Sequence, residues 1–344
     1  MKDFKDKIVF ITGGASGAGL GQAQVFTEAG AKVIIADMNQ TRLDEAIASG
    51  AADKAIKLDV TDREGYAAAA DEIEKVYGEC PDLIILTAGV NVFGPAEATT
   101  YDDYDWVVGV CFGGVVNGLV TFVPRMIKKG KGGHIASTVS WGAFGSGATT
   151  APYSAAKAGV LNLLESYYNA LKPYNIGVTA LTPANINSHI YESALNRPAD
   201  LSNTGYNVSD KTQSFLASIH ANGMDPKVLA NWLKDAIEED RFLAIPYKSG
   251  PRMVEIEMER FRYLAYKGGE EELAALKATP ERQAEAAVMM SEREGYDVKA
   301  RGPIVQDNKK DDDAPPPVFN FDTGGFGQAR GDIEWVKDEK KYKG

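Results

Sequence analysis

The apolar run Ile8-Val-Phe-Ile-Thr12 leads without a break into Gly13-Gly14-Ala15-Ser16-Gly17-Ala18-Gly19, and the helix-compatible stretch Leu20-Gly-Gln-Ala-Gln-Val-Phe26 follows. This order predicts strand, phosphate loop and helix, the opening unit of a doubly wound α/β fold. Glycines let the backbone turn tightly and approach a pyrophosphate, and the free amides at the helix start supply partial positive charge. Gly13, Ser16, Gly17, Ala18 and Gly19 are therefore the candidate dinucleotide cradle. The next strand, Lys32-Val-Ile-Ile-Ala-Asp37, ends in a carboxylate 18 residues after Gly19, where an acid can accept hydrogen bonds from the adenosine ribose hydroxyls. The phosphate loop and the residues immediately after Asp37 carry no lysine or arginine, so a ribose 2′-phosphate would meet negative charge with little compensation. The cofactor expected is NAD rather than NADP.

The chain has 344 residues, 44% of them apolar, enough for a substantial core. Its longest uninterrupted apolar stretches are strand-length, and Met1-Lys-Asp-Phe-Lys-Asp-Lys7 lacks the apolar centre of a signal peptide, so a cytoplasmic location without a membrane partner is expected. Cys80 and Cys111 are too far apart for metal-ligand spacing, and His134, His189 and His220 are scattered, so no metal is expected. A net charge of −11 argues against a nucleic-acid surface.

Strand-like runs at 7–12, 32–37, 54–58, 82–87, 132–139, 176–182 and 241–245 alternate with helical patterns at 18–29, 40–49, 63–78, 102–129, 152–173 and 226–239. This alternation predicts a mostly parallel seven-stranded sheet flanked by helices. Residues 184–225 have no long clean periodicity, which suits a mobile cap over a pocket. Residues 251–266 and 270–293 read as helices, and the Pro/Asp/Gly-rich stretch from about 296 reads as an extended or disordered tail. The expected division is thus a nucleotide-binding domain over 1–250 that includes the cap, a helical extension over 251–295, and a tail over 296–344.

Tyr153-Ser-Ala-Ala-Lys157 opens a helical segment, and four-residue spacing puts the phenol and the ammonium on one face. A phenol with a pKa near 10 needs a fall of roughly three units, worth about 4 kcal/mol, to act as a base at neutral pH. A close lysine and a bound nicotinamide cation could supply it. Ser140 lies 13 residues upstream at the end of a strand, where its hydroxyl can hold a substrate oxygen beside the tyrosine.

With these motifs the chain resembles the short-chain dehydrogenase/reductase family over residues 5–250. The resemblance implies hydride transfer with Tyr153 as acid/base, Lys157 on the nicotinamide ribose, and Ser140 orienting the substrate. It implies adenine contacts at Asp59 and Val60, and Thr87-Ala88-Gly89 stands where the family has Asn-Ala-Gly. Pro183, Ile186 and Ser188 stand where the family holds the nicotinamide carboxamide. It also implies a homodimer or homotetramer. Cys111 stands where the family usually has an asparagine that helps to hold a water in a proton relay with the lysine. A thiol is a weaker hydrogen-bonding group, which leaves open a rebuilt relay, slow proton exchange, or plain packing in a buried helix.

The segments 87–97, 99–106, 182–188 and 218–224 are similar to the Cα-dehydrogenases of lignin β-aryl ether breakdown, and the similarity stops beyond 250. Those enzymes oxidise a benzylic secondary alcohol to an aryl ketone with NAD. The small-molecule partner expected is therefore an aromatic alcohol or ketone, with Phe93, Trp141, Phe144 and Tyr191 as candidate pocket walls. Two other readings remain open: a hydroxysteroid or terpenoid alcohol dehydrogenase, and a catalytically weak NAD-binding scaffold or sensor.

Overall fold

The structure, a computed structural model, describes residues 1–206 and 210–294, together with the residue pairs 319–320 and 325–326. Seven strands, β1 (Ile8–Thr12), β2 (Lys32–Asp37), β3 (Lys54–Lys57), β4 (Leu83–Leu86), β5 (Gly133–Thr138), β6 (Ile176–Leu181) and β7 (Leu243–Ala244), form one sheet in the order β3-β2-β1-β4-β5-β6-β7. Every pairing is parallel. All five residues of β1 and all four of β4 are buried, because helices cover both faces and leave no polar side for alternation.

The helices are α1 (Gly17–Glu28), α2 (Gln40–Ala48), α3 (Arg63–Tyr77), α4 (Tyr101–Val108), α5 (Gly114–Lys129), α6 (Ala151–Leu171), α7 (Asp210–Ala221), α8 (Pro226–Glu238), α9 (Gly250–Leu264), α10 (Gly269–Lys277) and α11 (Pro280–Glu294). Side chains of alternate strand residues feed two cores. Phe10, Ile34, Ile84 and Ile135 pack with Tyr66 of α3, Phe122 of α5 and Leu164 of α6. Val9, Ile35, Leu83 and Ile85 pack with Phe26 of α1, Leu43 of α2, and Leu229 and Leu233 of α8. The strand order reverses between β1 and β4, so their carboxyl ends open the crevice where a ligand binds in such sheets.

Three sequence expectations change. The single helix expected at 102–129 is α4 and α5 joined through a π-helical turn, Gly109–Gly113, a one-residue bulge that apolar periodicity cannot resolve. This run is apolar enough by composition to cross a membrane, contrary to the strand-length reading. Its Trp106, Val107, Val115, Leu119 and Phe122 instead pack into the sheet core. The helix expected at 270–293 is two helices, because Pro280 has no N–H to continue α10 but fits the first turn of α11.

The third change concerns 184–225, which contains 3₁₀ turns at Ile190–Asn196 and Ala199–Leu201 as well as α7. Its apolar residues are divided among three clusters: Leu216 with Tyr191, Phe215, Ile219 and Phe93 in a satellite, Tyr206 in one main core and Met224 in the other. No single face collects them, so no long periodicity results. The segment is tied down by Arg197 on the fully buried carboxylate of Asp103 at 2.6 Å and by Arg42 on Glu192 at 2.8 Å. Of the tail expected from 296, only the antiparallel contact between Phe319–Asn320 and Gly325–Phe326 is within the described residues.

Candidate active site

A cavity of about 900 Å³ occupies the crevice at the strand carboxyl ends. Gly13, Ser16, Gly17, Ala18 and Gly19 line one end, with Asp37 beside them. Gly13 has φ +65°, and a Cβ there would lie 2.8 Å from the Ala88 backbone. At Gly17, φ +48°, a Cβ would lie 2.8 Å from Cβ of Ser188. The loop is therefore squeezed between the segments after β4 and β6, and only a backbone without side chains leaves the cradle open. This fits a pyrophosphate at the start of α1.

Asp37 accepts from Ala15 N at 3.3 Å through one oxygen and from Asn39 N at 3.0 Å through the other, so it braces the loop and the turn before α2 while facing the cavity. Arg42, a cation that the sequence reading did not consider, also lines this end, but Glu192 holds its guanidinium. Leu58 and Val60 line the adenine side. Asp59 is not part of that lining: it is exposed, and its carboxylate turns to Thr61, accepting from the backbone N and from Oγ1 at 2.8 Å each. Ala88, Gly89, Pro183, Ile186 and Ser188 continue the cradle towards the far end. These residues fit an extended dinucleotide along the crevice.

The far end brings Ser140, Tyr153 and Lys157 together. Ser140 follows β5 and caps a 3₁₀ turn, its Oγ accepting from Gly142 N at 3.0 Å. Burial and the nearby Cys111 hold the Tyr153 phenol above its ordinary pKa, against the lowering pull of the Ser140 hydroxyl. Lys157, only 3% exposed, donates to the Thr138 carbonyl at 2.8 Å with Nζ 5.6 Å from the Tyr153 ring centre. Burial pushes its ammonium below the usual lysine range. With Lys157 in place the phenol still lies above its ordinary value. Burial opposes charge on both groups, and a cation bound beside the phenol would favour the phenolate.

Cys111 sits in the π-helical turn, fully buried and behind the cavity wall rather than on it. Its thiol donates to the Val90 carbonyl at 3.1 Å and its sulfur accepts from Val90 N at 3.4 Å. Burial raises its pKa, which keeps the S–H in place for that pairing. A Cβ on Gly89 would lie 3.5 Å from Sγ and 3.7 Å from Lys157 Nζ, so Gly89 sits close to both thiol and ammonium. An asparagine carboxamide offers the same donor and acceptor to Val90. Cys111→Asn is accordingly expected to keep kcat or raise it. A loss above ~10-fold in a protein with unchanged Tm would instead assign the thiol a specific role.

Of the four aromatic candidates, Phe93 and Trp141 line the cavity. Phe144 packs behind Trp141 with ring centres 4.9 Å apart, and its carbonyl accepts from Arg260 Nη2 at 3.0 Å. Tyr191 opens instead onto a neighbouring cavity of about 240 Å³. Both departures reflect loop side-chain directions, which no periodicity specifies. The sequence reading missed Asn91, His220, Glu257, Arg260 and Met290 as lining residues. Glu257 and Arg260 pair at 2.8 Å on α9, so the helices beyond 250 build part of this wall.

The profile of short chain dehydrogenases matches residues 7–198. A "C alpha-dehydrogenase" of Sphingobium sp. strain NBRC 103272 / SYK-6 is 50% identical over 251 residues, 72% of this chain and 82% of that protein. The apo form of LigD from Sphingobium sp. strain SYK-6 superposes with TM-score 0.64 at 42% identity, covering 77% of this chain and 100% of that one. A short chain dehydrogenase/reductase from Burkholderia phymatum, solved in complex with NAD, gives TM-score 0.70 at 27% identity over 77% of this chain and 96% of its own.

Proposed function

The chain belongs to the short chain dehydrogenase family, and from that premise we propose that it is an NAD-dependent dehydrogenase that oxidises a benzylic secondary alcohol, such as a lignin-derived β-aryl ether, to the ketone. The observation that carries this reading is the meeting of Ser140, Tyr153 and Lys157 at the end of the crevice that the phosphate loop enters. The relative named a C alpha-dehydrogenase supports the benzylic position, and the neighbour solved with NAD supports the cofactor.

NAD, when bound, supplies the hydride acceptor and a positive ring. Gly13, Ser16, Gly17, Ala18 and Gly19 would hold its pyrophosphate, Asp37 its adenosine ribose, Val60 its adenine, and Pro183, Ile186 and Ser188 its carboxamide. Ser140 holds the substrate oxygen, and Tyr153 as phenolate takes the hydroxyl proton while the carbinol carbon gives up its hydride. Lys157, fixed on the Thr138 carbonyl, holds positive charge beside the phenolate and the nicotinamide ribose. The enzyme acts in the cytoplasm as a homodimer or homotetramer on this reading, which rests on the family resemblance.

The test is NADH formation across a panel of secondary alcohols. A benzylic alcohol bearing a β-aryloxy group is expected to give the highest kcat/KM, with small aliphatic alcohols at least ~100-fold lower because they forgo ~3 kcal/mol of apolar burial. The same assays with NADP are expected to be much weaker, since Asp37 puts a carboxylate on the loop end of the cavity and Arg42 is held by Glu192. A hydroxysteroid ahead of every aryl ether would move the assignment to that substrate class. No NADH with any member would leave an NAD-binding scaffold.

A further inference from the structure

Arg42 lies in the first turn of α2, where its backbone N–H donates to the Asn39 side chain at 3.1 Å, and it lines the cavity together with Asp37, Met38 and Asn39. Among the described residues it is the only lysine or arginine lining this end. The other two that line the cavity are held near the Ser140 turn, Lys157 on the Thr138 carbonyl and Arg260 on Glu257 and the Phe144 carbonyl. A guanidinium is the group a ribose 2′-phosphate needs, because its fork of N–H donors matches phosphate oxygens. Asp37 and Arg42 by themselves would leave this end balanced, one carboxylate against one cation.

The balance is broken from across the crevice. Glu192, 150 residues further along the chain in the 3₁₀ turn Ile190–Asn196, accepts from Arg42 Nη2 on Oε2 at 2.8 Å, and its Oε1 lies 3.0 Å from His189 Nδ1. The two side chains are 30% and 25% exposed, so water screens the pair only in part. Burial favours the neutral acid, but His189 and Arg42 outweigh it and hold the Glu192 carboxyl below its ordinary pKa. Arg42 is thus committed to a carboxylate of the cap, and Asp37 is left without a cation beside it for a phosphate to use.

We propose that Glu192 is a cofactor-selectivity residue supplied by the cap: it holds Arg42 away from the ribose 2′ position and so denies a 2′-phosphate its counter-charge. The proposal rests on the NAD reading above and divides that preference between two carboxylates. Asp37 repels the phosphate, and Glu192 withholds the cation that would offset the repulsion. The hydroxyls of an NAD ribose carry no charge to be matched, so the same pairing leaves NAD unaffected.

Calorimetric titration of NAD and NADP into the parent, Glu192→Ala and Glu192→Ala/Arg42→Gln proteins tests it. The fragments 5′-AMP and 2′,5′-ADP, which differ by the 2′-phosphate alone, assign any change to that group. Glu192→Ala is expected to tighten NADP and 2′,5′-ADP at least ~10-fold, the scale of a hydrogen bond to a charged group, while NAD and 5′-AMP stay within ~3-fold of the parent. Adding Arg42→Gln is expected to cancel the gain. A merely structural role in tying down the cap would weaken NAD and NADP alike and leave their ratio at the parent value. Glu192→Gln keeps the shape of the side chain and is expected to move the ratio in the same direction, so it decides the matter should the alanine protein fail to fold. A ratio unmoved in the Glu192 variants, or a gain that survives Arg42→Gln, overturns the holding role alone. Parity of NAD and NADP in the parent, or binding of neither, overturns the NAD reading and the holding role with it.

Discussion

Tyr153→Phe is expected to bind NAD as tightly as the parent enzyme and to lose kcat by at least ~10³-fold. The substitution removes only the hydroxyl. The ring keeps its place on α6, and Lys157 keeps its 2.8 Å bond to the Thr138 carbonyl, so the cofactor end of the site is unchanged. Ser140 retains its bond from Gly142 N and can still hold the substrate oxygen. What disappears is the group proposed to take the proton, and positioned acid/base groups contribute about 10²–10⁴ in rate. The pH profile gives a second readout. Burial holds the proton on Tyr153, so oxidation by the parent enzyme should rise towards alkaline pH as the phenolate forms, and the residual rate of the variant should lack that rise. Stopped-flow NADH formation with equilibrium NAD titration checks both. A variant retaining a tenth of parent kcat would place the base elsewhere.

The second large effect is expected at the phosphate loop. A Cβ on Gly19 would lie 2.0 Å from the Gly13 carbonyl oxygen and 2.7 Å from its carbon, both backbone atoms that cannot rotate away. Gly19→Ala must therefore displace the turn that aims the first amides of α1 into the crevice, and overpacking of this kind costs about 1–3 kcal/mol. NAD affinity is expected to fall at least ~100-fold, about 2.7 kcal/mol of binding free energy. Gly109→Ala is the control, since its Cβ would find Thr61 Cγ2 at 4.0 Å, an ordinary contact, on a helical backbone. Its NAD affinity is expected to stay at the parent value. Calorimetric titration separates the two, and a Gly19→Ala protein that binds NAD within ~3-fold of the parent would show that the loop adapts.

By itself the sequence specified the doubly wound sheet and the local motifs, because both are written in short-range patterns. Parallel strands buried on two faces must be continuous apolar runs, as Ile8–Thr12 and Leu83–Leu86 are. The glycine spacing after β1 and the four-residue step from Tyr153 to Lys157 are covalent distances that local geometry converts directly into a loop and a helix face. The π-helical turn at Gly109–Gly113 escaped because it keeps the apolar pattern of a plain helix. The break before Pro280 was legible from proline's missing N–H but was overridden by periodicity on either side.

Only the tertiary structure decided who faces the cavity. Asn91, His220 and Arg260 come from the loop after β4, from α7 and from α9, and nothing local in any of the three segments marks a shared pocket. Phe144 and Tyr191, picked as aromatic neighbours of the motifs, turn away from it, one behind Trp141 and the other into the adjoining cavity. A regular backbone gives a helical side chain such as His220 or Arg260 its direction relative to its own helix, but which helix or loop meets the crevice is set by long-range packing.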